Sequence, residues 1–131
     1  MKRNNKSFTL PELLIAAIIM AVVFIMMLTV YANCCSLEEA SRNLIVATSH
    51  ADFVMEDIRN TSFSNLSTDI TSGNWNWNST NITAAQLTPL NNESIATQAS
   101  GTNPLDITVT VTWRDSQQKN RTKVLETYIS G

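Results

Sequence analysis

The amino-acid sequence predicts an α+β protein in which one long N-terminal helix, from about residue 9 to residue 60, packs on a small antiparallel β-sheet. Two patterns support this prediction. An apolar run of twenty residues passes directly into an amphipathic helical repeat, and apolar and polar residues alternate near the C-terminus. With 131 residues in all, the chain is long enough for one small domain beyond the apolar run.

The apolar run covers residues 13–32, and only Thr29 and Tyr31 carry polar groups within it. A helix of this length spans about 30 Å, which matches the hydrocarbon layer of a membrane. Because three basic residues lie within the first seven positions, the N-terminus is expected to stay in the cytoplasm. The rest of the chain should then be exported.

Three interpretations of this run compete. A cleaved secretory signal would have an apolar stretch of only about 7–15 residues, and the residues that end this run fit its small-residue cleavage site poorly. A lipoprotein would be acylated at Cys34, although Asn33 stands where a small residue is usual. A plain membrane anchor fits the length but leaves the acidic Glu12, at the edge of the run, unexplained.

Glu12 is a costly residue at this place, since a charged side chain costs about 2.5–3.5 kcal/mol at the centre of a membrane span and less near its ends. In one interpretation the carboxylate lies at headgroup level and complements the helix N-terminus, which is worth roughly a few tenths of a kcal/mol. In the other it has a charged partner, as carboxylates within membranes usually do.

The residues around Glu12 favour the second interpretation. Residues 6–15 read KSFTLPELLI, and this segment resembles the signal of the type IV prepilin family, in which a short basic leader is cleaved on the cytoplasmic side of the membrane. The resemblance implies cleavage between Ser7 and Phe8, N-methylation of Phe8, and Glu12 as the fifth residue of the mature chain. Two positions depart from the commonest pattern. Ser7 replaces glycine, and Pro11 replaces an aliphatic residue, which the first turn of a helix tolerates.

The same resemblance implies a pilin-like fold and a structural role. Glu12 would pair with the terminal amine of a neighbouring subunit during assembly, because a buried carboxylate without a partner is expensive. The implied partners are other pilin or pseudopilin subunits, the prepilin peptidase, the inner-membrane assembly platform and membrane lipid. The protein would be a single-pass inner-membrane protein with a cytoplasmic N-terminus, and after assembly part of a periplasmic or cell-surface filament.

The resulting domain organisation is a leader over residues 1–7, a membrane and filament-core helix over 8–32, and an extracytoplasmic domain over 33–131. In this domain the amphipathic helix should continue to about residue 60. Its apolar face would hold Leu37, Ala40, Leu44, Ala47, Ala51, Val54 and Ile58. Residues 61–105 are rich in asparagine, serine and threonine, and their scattered apolar residues predict short docked elements. Residues 106–130 predict an antiparallel hairpin, which needs the helix and another strand to close a core.

Five further residues are candidates for a functional site. Cys34 and Cys35 are adjacent, so a disulfide between them would be strained; they are interpreted as small apolar residues, with acylation or an intermolecular bridge as alternatives. His50 has no ligand at a metal-binding spacing and is expected to be solvated or partly packed. Trp75 and Trp77 alternate with asparagine residues, which predicts a short strand used for packing, with a ligand platform as the alternative.

The sequence contains no pattern typical of an enzyme: no nucleophile–base pair, glycine-rich phosphate loop or metal-ligand cluster, so neither catalysis nor a cofactor is expected. The formal net charge of −2 indicates no nucleic-acid partner. Both cysteines lie in the helix rather than closing a C-terminal loop, and no acidic calcium-binding loop is evident. These features favour a minor subunit of a type IV pilus or a type II secretion pseudopilus. The alternative is a membrane-anchored envelope protein or lipoprotein with no filament role.

Overall fold

The computed structural model describes residues 9–131. Its elements are the helices α1 (Leu10–Arg59), α2 (Phe63–Thr71) and α3 (Ser79–Ala84) and the strands β1 (Trp77–Asn78), β2 (Ser94–Ser100), β3 (Leu105–Arg114) and β4 (Asn120–Ile129). The chain divides into two compact units, Met1–Glu39 and Ala40–Gly131. The predicted α+β class and the long helix from about residue 9 to residue 60 are confirmed.

Helix α1 is continuous over 50 residues because no glycine or proline interrupts it after Pro11. Pro11 lies in the first turn, where the missing N–H has no intrahelical partner to lose. The Thr9 carbonyl accepts the backbone N–H groups of Glu12 at 3.1 Å and Leu13 at 3.2 Å, which forms this first turn. The helix ends at Arg59, where a cation is favourable beside the last carbonyl groups.

Within the second unit, α1 buries one face against the sheet. Its buried residues are Ala47, His50, Ala51, Val54, Met55 and Ile58. The predicted apolar face is therefore correct from Ala47 onward, but Leu44 remains exposed and Leu37 lies exposed in the first unit. Met55 was not part of the predicted face. It lies on the flank of the predicted apolar face and is buried as well.

The sheet has four strands in the order β1-β2-β3-β4, so each strand lies beside its neighbour in sequence, and every pair is antiparallel. The inward face of β3 supplies a large part of the core. Its buried residues are Leu105, Ile107, Val109, Val111 and Trp113. The β3–β4 register runs from Leu105 opposite Ile129 to Arg114 opposite Asn120. The predicted C-terminal hairpin is thereby confirmed.

The polar stretch 61–105 contains the predicted short elements, including the additional strand that the hairpin needed, β2. Its inward positions include Ile95 and the polar Thr97. Thr97 is buried at little cost because its hydroxyl donates to the Trp75 carbonyl at 3.2 Å and its N–H donates to Oδ1 of Asn76 at 2.9 Å. A threonine at a core position weakened the alternation that would have identified this strand in the sequence.

The packing role predicted for the tryptophans is confirmed for Trp75. This residue is buried, and its indole N–H donates to Oδ2 of Asp57 on α1 at 2.6 Å. Trp77 is half-buried, and its ring lies 6.0 Å from that of Phe53 between centroids. The predicted short strand is limited to Trp77–Asn78, and Trp75 precedes it.

The prediction that His50 is solvated or partly packed was wrong. The residue is 3% exposed, and its Nδ1 lies 2.7 Å from Oε1 of Glu93. Glu93 is buried as well, and its Oε2 accepts the N–H of Leu90 at 2.6 Å. The two paired residues lie 43 positions apart, so the local spacing on the helix could not reveal the partner.

The turn between β3 and β4 is organised by the carboxylate of Asp115. One oxygen accepts the backbone N–H of Lys119 at 2.8 Å, and the other accepts Nε–H of Arg121 at 3.0 Å. The Lys119 hydrogen bond and the Arg121 guanidinium hold the pKa of Asp115 below its ordinary value, against desolvation, which raises the pKa. A carboxyl group with a lowered folded-state pKa stabilises the fold above its unfolded pKa, and this stability is lost as the pH falls through the folded pKa.

We therefore expect Asp115→Asn to lower the midpoint of thermal unfolding at neutral pH. The difference in unfolding midpoint between the variant and the wild type should become smaller as the pH falls below about 4. The wild-type carboxylate then becomes protonated and also loses its interactions with Lys119 and Arg121. Melting curves followed by circular dichroism between about pH 7 and pH 2 check this result. Glu38→Gln, at an exposed position on α1, is the matched control. If the difference in unfolding midpoint between wild type and Asp115→Asn stays constant at low pH, the ionised carboxylate does not have the proposed role.

Candidate functional site

Glu12 lies in the first turn of α1, immediately before the apolar run. Its backbone is fixed by the hydrogen bond to the Thr9 carbonyl, and the positive end of the helix dipole favours a carboxylate at this place. Within residues 9–131 both ion pairs lie beyond residue 40, so the Glu12 carboxylate has no cationic partner in this part of the chain.

The surface of α1 after Glu12 is apolar and exposed. Exposed large side chains include Leu13, Leu14, Ile15, Ile18, Ile19, Met20, Val22, Val23, Phe24, Ile25, Met26, Met27, Leu28 and Val30. The most apolar window has a mean hydropathy of 3.1, and none of it is buried within the protein. By length and composition this helix can cross a membrane, whereas the core helix of a soluble protein would be mostly buried.

The few polar groups on this helix surface fit an apolar environment. The hydroxyl of Thr29 donates to the Ile25 carbonyl at 3.0 Å, so it needs no partner outside the helix. Tyr31 is exposed near the end of the apolar run, where an amphipathic ring suits a membrane–water interface. Glu12 is the only charged residue between Lys6 and Glu38. As far as residue 32, α1 therefore presents a single charge, at one end of a long apolar surface.

The structure leaves two predicted site residues untested, since Ser7 and Phe8 lie outside the described residues. Cys34 and Cys35 are free and exposed on α1. Between residues 9 and 131 there is no group of three or more side chains that could hold a metal ion. The imidazole of His50 is sealed from solvent against Glu93, so it cannot reach a substrate.

Comparison with known proteins adds one finding on this region. Residues 2–28 match the prokaryotic N-terminal methylation motif. No curated protein and no solved structure matches the chain. The motif supports a type IV pilin-like subunit of a pilus or pseudopilus, and a membrane-anchoring helix fits such a subunit. The resemblance drawn from the residues around Glu12 is confirmed: residues 2–28 carry the prepilin-type signal of type IV pilin-like proteins.

Proposed function

We propose that the protein is a minor structural subunit of a type IV pilus or a type II secretion pseudopilus. The observation that carries the proposal is the single carboxylate of Glu12 at the start of an apolar helix, inside the matched methylation motif. An anchor that acts alone gains from this charge only the weak interaction with the helix N-terminus. A subunit that must find a charged neighbour gains more, because the charge gives its helix a fixed pairing point.

In this proposal a prepilin peptidase cleaves the chain between Ser7 and Phe8. Cleavage creates an α-amino group on Phe8, and N-methylation of this amine keeps it cationic. The Glu12 carboxylate of one subunit then pairs with the Phe8 amine of its neighbour. In the low-dielectric core of a filament such a pair is strengthened, and a subunit left unpaired retains the cost of desolvating its charge. The pairing thereby sets the axial register of the helices.

The proposed location follows from the same helix. Before assembly the protein is a single-pass inner-membrane protein with a cytoplasmic N-terminus, because the basic leader precedes the apolar run. After assembly it belongs to a periplasmic or cell-surface filament. Its partners are other pilin or pseudopilin subunits, the peptidase, the inner-membrane assembly platform and membrane lipid. The signal points to a structural subunit, and we assign the chain no catalytic role.

The assignment as a minor subunit rests on the C-terminal hairpin. The chain has two cysteines, Cys34 and Cys35, and both lie in α1, so no disulfide can close the C-terminal region. The hydrogen bonds of Asp115 hold the turn of the hairpin instead. This difference from the disulfide-closed loop common in major pilins supports a subunit that initiates or caps a filament.

Co-expression with a prepilin peptidase is expected to move the N-terminus of the membrane-bound protein from Met1 to methylated Phe8. Intact-mass and N-terminal analysis of the protein recovered from membranes, with and without the peptidase, measures this change. Ser7→Gly should be processed at least as fast as wild type, whereas the bulky Ser7→Leu should block cleavage. A chain that keeps Met1 in the presence of active peptidase, or that begins at a lipidated Cys34, would contradict the proposal.

A further inference from the structure

The turn between β3 and β4 is basic, although the unit that carries it is acidic. Residues 40–131 contain six basic and eight acidic residues, a net charge of −2. Four of these basic residues and one acid, Asp115, fall within residues 114–123. The four are Arg114, Lys119, Arg121 and Lys123. The unit as a whole therefore has no general attraction for anions, whereas this turn attracts an anionic partner locally.

Most of the positive charge of this turn is not neutralised within the protein. The buried carboxylate of Asp115 pairs with Arg121 at 3.0 Å, so these two charges cancel. Nε of Arg114 donates to Oδ1 of Asn120 at 3.2 Å, which holds the guanidinium across the base of the turn. In the described part of the chain no ion pair involves the other three basic residues. Three positive charges thus remain, and those of Arg114 and Lys119 are exposed.

The basic side chains lie on both faces of the sheet, around the tip of the hairpin. Lys123 stands opposite the buried Val111 in the β3–β4 register, so it lies on the face toward α1. Arg114 follows the buried Trp113 and therefore lies on the other face. Lys119 belongs to the turn between them. A ligand confined to one face would miss part of this charge, whereas a broad anionic surface that meets the tip end-on can contact all of it.

The base of the hairpin lies beside the start of the unit, which is close in the chain to the apolar run. Ala40 of α1, Trp113 and Arg121 are among the residues that line a groove of about 260 Å³. Ala40 follows Ala32, the last residue of the apolar run, by eight positions. Eight residues rise about 12 Å in a helix and reach at most about 29 Å when fully extended. The chain therefore keeps the basic turn near the surface of any membrane that this helix crosses.

We propose that the β3–β4 turn docks on the anionic phospholipid headgroups of the membrane that α1 crosses. The lipid phosphates accept hydrogen bonds from Arg114 and Lys119, and Lys123 adds its charge at longer range. Because α1 tethers the turn, these weak contacts are intramolecular and act at a high effective concentration. The carboxylates of Glu38 and Glu39, between the apolar run and the unit, repel the same lipids, so docking depends on the combined charge of the turn.

The inference rests on α1 as a membrane anchor and not on the proposed filament role. It requires neither cleavage of the leader nor a second subunit, and it holds for whichever side of the membrane carries the unit Ala40–Gly131. Failure of the following experiment would therefore leave the proposed pairing of Glu12 untouched, and failure of that pairing would leave lipid docking untouched.

NMR spectra of the full chain in lipid nanodiscs test this inference, with a neutral gadolinium chelate attached to a fraction of the headgroups. The chelate broadens the signals of amides that lie close to the lipid surface. For the amides of residues 116–119 we expect broadening at least about threefold stronger in discs that contain phosphatidylglycerol than in phosphatidylcholine alone. This difference should disappear at about 1 M salt, where the Debye length falls to about 3 Å.

Three variants assign the contact to the side chains of the turn. Arg114→Gln/Lys119→Gln should reduce the broadening in phosphatidylglycerol discs to the level of neutral discs, since each basic residue near an anionic surface strengthens binding about fivefold. Arg114→Lys/Lys119→Arg keeps both charges and should retain the broadening. Arg59→Gln is the control, because it removes one basic residue at the far end of α1, and it should leave the broadening unchanged.

Equal broadening in neutral and anionic discs, or broadening that survives the loss of both charges, would overturn the proposal. Weaker broadening in Glu38→Gln would also overturn it, because the removal of a repelling carboxylate favours contact with an anionic surface. If duplex DNA shifts the same amide signals in neutral discs, nucleic acid is the ligand of the turn and the lipid proposal is wrong.

Discussion

Replacing Glu12 with glutamine is expected to reduce the recovery of the protein in filaments by at least about tenfold, while cleavage and membrane insertion remain intact. The substitution keeps the shape of the side chain and removes its charge. A membrane-inserted helix becomes more stable when it loses a carboxylate, since a charge within the span costs up to about 2.5–3.5 kcal/mol. Assembly should nevertheless fail, because the amine of the neighbouring Phe8 would be left without its anion.

Glu12→Gln should therefore leave membrane insertion intact and impair filament assembly, so the two processes must be measured separately. The amount of the chain in sheared filaments, divided by the amount in the membrane, measures assembly independently of expression. Glu38→Gln is the matched control, because it removes a carboxylate from the same helix beyond the apolar run. If the Glu12→Gln protein enters filaments as efficiently as wild type, then the carboxylate serves only the helix terminus, and the proposed pairing is wrong.

The first half of the fold could be predicted from local sequence alone. The apolar run over residues 13–32 passes without a glycine or proline into the amphipathic repeat that includes Ala47. This pattern predicts one continuous helix, and the structure has that helix. The candidate site at Glu12 can likewise be identified from the local sequence. Glu12 is conspicuous because its charge stands alone between Lys6 and Glu38, so its identification needs no knowledge of tertiary contacts.

The features that escaped prediction depend on contacts between distant residues. Strand β2 was not located because Thr97 occupies a core position, where hydrogen bonds to Trp75 and Asn76 replace apolar burial. The burial of His50 cannot be inferred from the sequence because its partner, Glu93, lies in the loop before β2. In both cases a polar side chain is buried at low cost only because a distant segment satisfies it, and no period of the local sequence records such a partner.

Replacing Glu93 with alanine is expected to destabilise the unit Ala40–Gly131 by about 2–5 kcal/mol, because each buried donor left without an acceptor costs about 1–3 kcal/mol. The substitution leaves Nδ1 of His50 and the N–H of Leu90 without an acceptor in a site closed to water. Urea unfolding of the full chain in detergent micelles, followed by tryptophan fluorescence, measures the loss. Glu56→Ala, at an exposed position on α1, should change the stability by less than about 0.5 kcal/mol.

A double variant separates the pair from its surroundings. In His50→Leu/Glu93→Leu both polar side chains are replaced by apolar ones of similar size, so of the two donors that Glu93→Ala leaves without an acceptor only the N–H of Leu90 remains. The double variant should therefore be more stable than Glu93→Ala by about 1 kcal/mol or more. If its stability loss instead equals the sum of the losses in His50→Leu and Glu93→Leu, the two side chains are not coupled. Their 2.7 Å contact would then contribute packing but no mutual stabilisation.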